Sequence, residues 1–111
     1  MGKLPPAYTK FQEEFRRVWS AYDRLGTAVH QEGPLEPKVR ELVKLGIAIG
    51  GRLEGAVKAH TRLALEQGAS VNEIRHVALM AITTVGFPTA MAALTWIEDI
   101  VSKRRVARKR R

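Results

Sequence analysis

Two titratable side chains in this 111-residue chain stand among aliphatic neighbours, and together they could do acid–base chemistry. His60 shares a helical spacing with Leu53, Ala56, Val57, Leu63 and Ala64, which places it on the apolar face of a helix. Glu41 stands beside Val39, Leu42 and Val43 in a segment that is otherwise almost wholly apolar. A carboxylate in such surroundings must be paired, protonated or set at a helix edge, because burying a lone charge is costly. Two adjacent helices, each contributing one such group, would form a proton-transfer pair. The same placement also suits a core histidine with one hydrogen bond, or a histidine at a subunit contact.

Other chemistries find less material. The chain has no cysteine, which excludes a disulfide framework, a thiolate-ligated metal and a redox dithiol. Its three histidines, at 30, 60 and 76, are scattered and have no clustered carboxylates, so a metal site is not expected. Arg40, Arg52 and Lys58 are the candidate cations for a site at the pair. Each could hold a substrate carboxylate or be an ordinary solvated charge. Glu54 and Lys58 also have the spacing of an exposed helix pair.

The elements that must position these groups are helices. The apolar fraction is 45% with only 6% aromatics, so aliphatic side chains and alanine fill the core, which favours closely packed helices. Phe11, Phe15, Val18, Trp19 and Tyr22 mark a first helix from the Pro5-Pro6 pair to about Leu25, with Gly26 bending or ending it and a further turn reaching towards His30. Residues 31–37, QEGPLEP, read as a loop. A second helix from Pro37 to Gly50-Gly51 is apolar almost all round and is expected to be central and buried. A third spans about 52–67 and stops at Gly68. The fourth opens on the capping box Ser70-Val71-Asn72-Glu73 and breaks near Gly86-Phe87-Pro88. The fifth runs from 88 to about 103. No segment alternates as a strand would. The expected fold is all-α, a compact domain of about five to six helices over residues 1–102, followed by a basic tail at 103–111.

Residues 36–98 resemble the carboxymuconolactone decarboxylase and alkyl hydroperoxidase D-like superfamily. The resemblance rests on PKVRELVKLGIAIGG (37–51), AHTRLALEQGASVNEIRHVALMA (59–81) and VGFPTAMAAL (85–94), in that order. In the thiol-dependent branch, a Glu precedes a Cys-x-x-Cys-x-x-x-His motif by twelve residues. Carried onto this chain, the Glu falls on Glu41 and the His on His60, while the two cysteine positions hold Leu53 and Ala56. Thiol peroxidase activity is therefore not expected. The decarboxylase branch also lacks the cysteines. Its reaction is loss of CO2 from a carboxylated lactone and protonation of the carbon left behind. The resemblance thus implies a cofactor-free lyase acting on a small carboxylated, lactone-type substrate. His60 would be the proton donor and Glu41 its orienting partner. Arg40 or Arg52 would hold the substrate carboxylate, and Phe87 would line the pocket. The resemblance further implies a homo-oligomer, a trimer or hexamer. A noncatalytic member binding a small ligand or partner is the alternative.

The formal charge of +8 is unevenly placed. Residues 103–111, KRRVARKRR, carry seven basic side chains and no acid, which leaves the rest of the chain nearly neutral. The tail has three readings: a solubilising disordered end, a helical continuation with cations at a helix C-terminus, or a nonspecific nucleic-acid contact. The apolar-rich stretch 77–94 is interrupted by Thr83, Thr84, Gly86 and Pro88, so it reads as two buried helices rather than a membrane span. The N-terminal MGKLPPAYTKFQEEF has no apolar segment of the signal-peptide kind, and cytoplasm is the expected compartment.

Overall fold

The computed structural model describes residues 6–109, all helix and connecting turns: α1 (Pro6–Glu14), α2 (Arg16–Gln31), α3 (Pro37–Gly50), α4 (Glu54–Glu66), α5 (Val71–Ile82) and α6 (Phe87–Lys109). No described residue lies in a strand. The chain divides into two compact units, residues 1–35 and 36–111.

The first unit holds α1 and α2. Phe15 leaves helical geometry at φ −123° and ψ 56° and separates the two helices. Phe15 N–H still donates to Phe11 O, and Trp19 N–H to Phe15 O, so the hydrogen-bond ladder continues across the break. The helix expected to stop near Leu25 runs to Gln31. Gly26 weakens a helix interior by about 1 kcal/mol relative to alanine but does not end it. The stop comes only with Gly33-Pro34, in the bend after Gln31. Neither helix has a buried residue. Their aromatic side chains stack locally, Phe11 on Phe15 at 5.3 Å and Trp19 on Tyr22 at 5.9 Å between ring centres.

The second unit contains the core. Each of its helices buries one stripe: Glu41, Leu45, Ala48 and Ile49 on α3; Val57, Thr61, Ala64 and Leu65 on α4; Ile74, Ala78 and Ala81 on α5; Ala90, Ala93, Ile97, Ile100 and Val101 on α6. α3 packs chiefly on α4 and α5, and α6 on α5 and α4. Seven of the fifteen buried apolar residues are alanines, which lets the helix axes approach closely and leaves narrow space between them.

Three expectations change here. α3 is not buried all round: Val39, Val43 and Ile47 are 38%, 44% and 68% exposed. At 100° per residue they lie opposite the Glu41–Ile49 stripe, on a side that α4 and α5 do not cover. On α4, Leu53 precedes the first turn and is exposed, and Leu63 lies well round from the buried stripe. α6 continues six residues past 103 to Lys109. Lys, Arg and Ala are good helix formers, and cations suit the negative end of the macrodipole, so the helical reading of 103–109 holds. Residues 110 and 111 lie outside the described part.

Turn chemistry sets the path between α3 and α6. After α3, Arg52 N–H donates to Ile49 O and Leu53 N–H to Ala48 O, closing a Schellman turn. The left-handed residue of this turn is Arg52, at φ 53°, and not one of the two preceding glycines. α4 closes the same way, with Gly68 at φ 92°. α5 opens on the expected capping box: Ser70 Oγ accepts from Glu73 N–H, and Glu73 Oε1 accepts from Ser70 N–H.

Candidate functional site

Glu41 is the first residue of the buried stripe of α3 and is 7% exposed. It is the one charged residue in that stripe, so it needs a partner from a facing helix. His60 supplies it. Three residues after Val57 and four before Ala64, it falls on the rim of the buried face of α4, where its side chain keeps 22% of its surface open. His60 Nδ1 and Glu41 Oε1 are 2.9 Å apart. A carboxylate only accepts, so the imidazole donates through Nδ1–H. That fixes the tautomer and leaves Nε2 on the far side of the ring as the atom that gains or loses a proton.

The cations have separate engagements. Arg52 is exposed, and its Nη1 donates to Thr89 Oγ1 at 2.8 Å, which ties the α3–α4 turn to the first turn of α6. Lys58 is bridged to Glu54 at 3.0 Å and Asp99 at 3.5 Å. The hydrogen bond it donates to Glu54 raises its pKa most, with further help from the charges of Glu54 and Asp99 and against the opposing effect of burial. Arg40 is half-buried on α3, one residue before Glu41 and therefore about 100° round the helix from it. Phe87 is the first residue of α6 and is 58% exposed. The structure thus joins Glu41 to His60 and directs Arg52 to Thr89.

A groove of about 230 Å³ lies between α3 and α5 and is lined by Gly46, Ile49, Val77, Met80, Ala81 and Val85, with neither Glu41 nor His60 among its walls. Among the described residues, no group of three or more His, Asp or Glu side chains is arranged to hold a metal ion.

Two positions escaped the sequence. Thr89 is buried and anchors Arg52. Its role follows from a contact 37 residues apart, which no local spacing reveals. Thr61 is wholly buried beside His60, with its hydroxyl donating to Val57 O at 2.7 Å. Its place at the fourth position after Val57 was a readable signal, because a threonine on an apolar stripe can satisfy itself on the preceding turn.

The family model of the carboxymuconolactone decarboxylases matches residues 16–99, which include the whole site. The chain belongs to the carboxymuconolactone decarboxylase family. Two solved structures carry the same fold. A family protein from Legionella pneumophila superposes with a TM-score of 0.77 at 23% identity, over 86% of each chain. A protein from Burkholderia xenovorans assigned to the carboxymuconolactone decarboxylases gives 0.71 at 25% identity, over 100% of this chain and 88% of the other. No curated protein matches the chain significantly. Within the family, this member has leucine and alanine at 53 and 56 and keeps Glu41 and His60 in contact.

Proposed function

We propose that this carboxymuconolactone decarboxylase family member is a lyase that removes CO2 from a small carboxylated lactone, with His60 as the proton-transfer group and Glu41 as its positioning partner. The observation that carries the proposal is the 2.9 Å hydrogen bond between a buried carboxylate and a half-buried imidazole. In the step proposed, the bond between the ring carbon and its carboxylate breaks. CO2 leaves, and the electron pair moves onto the carbon conjugated with the lactone carbonyl. Protonated His60 then delivers the Nε2 proton to that carbon and recovers one from solvent. Glu41 keeps Nδ1 protonated throughout and stabilises the charged imidazolium. The aliphatic surroundings disfavour a charged ground state and so favour loss of the carboxylate charge. Arg40, Arg52 and Phe87 are the substrate-binding residues in this reading: the arginines hold the carboxylate and Phe87 is an apolar wall.

A second reading is a noncatalytic member that binds a small ligand. It is favoured by one observation: Arg52 engages Thr89 and not the Glu41–His60 pair. His60→Gln separates the two, because an amide keeps a donor for Glu41 but carries no titrating proton. The lyase reading expects release of CO2 from carboxylated lactones to fall by about 10²-fold or more, with the helical circular dichroism unchanged. Unchanged turnover would remove His60 from the chemistry. No turnover in the parent chain, together with saturable lactone binding, would favour the second reading.

A further inference from the structure

A second site lies where the α4–α5 turn meets the basic end of α6. A cavity of about 210 Å³ opens there. Leu65, Ala69 and Val101, all buried, form its floor, and Ser70, Arg104 and Arg105 stand at its rim. The two arginines are not matched by carboxylates. Glu98, the acid whose field reaches Arg105, already takes a two-pronged bond from Arg75, at 2.6 and 3.0 Å. Asp99 is bridged to Lys58. Among the described residues, Arg104 has no acidic partner. The start of α5 adds little charge of its own. Its capping box already joins Ser70 N–H to Glu73 Oε1 and Glu73 N–H to Ser70 Oγ, and Glu73 Oε2 accepts from Lys38 at 3.1 Å.

Two arginines lining a cavity with an apolar floor suit an anion that carries two charges and a small hydrocarbon part. A phosphate monoester is such an anion, since its three terminal oxygens accept from two arginine forks where a carboxylate has only two oxygens to offer. The volume limits the guest. Sites for drug-sized ligands run from about 300 Å³ upward, so this cavity takes a head group with a few carbons. We infer that the cavity binds a small phosphate monoester, with Arg104 and Arg105 holding the phosphate and Leu65, Ala69 and Val101 covering the ester carbons.

The test is a titration of the full chain with inorganic phosphate and with ethyl phosphate, against chloride at matched ionic strength, followed by amide NMR shifts. Saturating shifts confined to residues around 65–71 and 101–105 are expected. Ethyl phosphate should bind about fifteenfold more tightly than inorganic phosphate, at about fourfold for each of its two carbons covered. Arg104→Gln and Arg105→Gln should each weaken binding. Lys103→Gln, which removes the same charge from the same helix outside the cavity, should leave it unchanged. The inference is overturned if Lys103→Gln weakens binding as much as the arginine variants, or if the shifts do not saturate. Strong salt-sensitive binding of duplex DNA with no ethyl phosphate preference would likewise overturn it, and would assign the basic end to a polyanion.

Discussion

At the residue scale, the pairing of Glu41 with His60 was legible because both are polar groups at positions that helical spacing turns inward. Arg52 was not legible in the same way. The glycines at 50 and 51 mark the end of α3 correctly, yet the left-handed position falls on the next residue, an arginine at φ 53°. A side chain with a Cβ costs about 1–2 kcal/mol in that conformation, a cost glycine avoids. In return, Arg52 donates to the buried Thr89 hydroxyl, which has a place for that donor only once α6 is in position. The two contributions can be separated. Arg52→Ala loses the hydrogen bond and keeps the strain, while Arg52→Gly loses the bond and relieves it. The glycine variant should be more stable than the alanine variant by about 1 kcal/mol in urea denaturation, less a few tenths for the freer unfolded chain. Equal stabilities would mean that the turn relaxes and stores no strain. The same substitutions bear on function, since an Arg52 that contacts the substrate carboxylate predicts a raised KM in both.

At the element scale, the helix count and most boundaries came from punctuation: Pro37 at the start of α3, Gly68 after α4, Ser70 before α5. The departures have separate causes. Gly26 costs its helix only about 1 kcal/mol, too little to end it, and the basic residues of α6 are themselves good helix formers that extend it. Leu53 and Leu63 fall outside the buried stripe of α4, whose position only the packing of the helices decides. Ionic contacts between elements behave similarly. Lys38 on α3 reaches Glu73 on α5 at 3.1 Å, and Arg75 on α5 grips Glu98 on α6. The backbone N–H of Ser70, and then Lys38, hold the Glu73 carboxyl below its ordinary pKa. Arg75 does the same for Glu98. A carboxyl depressed on folding stabilises the native state above its unfolded pKa, and that contribution is lost as pH falls through the native value. Glu73→Gln and Glu98→Gln should therefore lower the unfolding temperature at about pH 7, and the difference from the parent should close as pH falls from about 5 towards 3. A difference that stays constant over that range would show that the carboxyls act through shape alone. Ser70→Ala removes the other half of the capping box and should cost about 1 kcal/mol at any pH.

At the scale of the whole molecule, the apolar surface left open is larger than the core requires. On α3, Val39, Val43 and Ile47 form one exposed row. On α2, Phe15, Val18, Tyr22, Leu25 and Val29 form another, each more than half exposed, and neither α1 nor α2 buries any residue. A helical pair of that length does not hold its shape in water on local hydrogen bonds alone, because helices of this size are marginal without an apolar face to cover. Contiguous exposed apolar rows of this extent mark association surfaces. A stable interface covers about 800 Å² on each partner, more than three aliphatic side chains of α3 provide by themselves. The basic end of α6 does not oppose this: its cations are concentrated at 103–109, away in sequence from either row. A second copy of the chain is the partner proposed for these rows, and it makes a definite prediction. The parent chain should sediment as an oligomer at micromolar concentration. Ile47→Asp places a charge at the most exposed position of the α3 row, where it costs the free monomer little and an apolar interface much. It should shift the sedimenting mass towards the monomer, as should Tyr22→Asp on α2, with helical content retained in the Ile47 variant. If the parent sediments as a monomer, the rows are not self-association surfaces. If Ile47→Asp leaves an oligomer intact, the interface lies elsewhere and the α3 row is open surface.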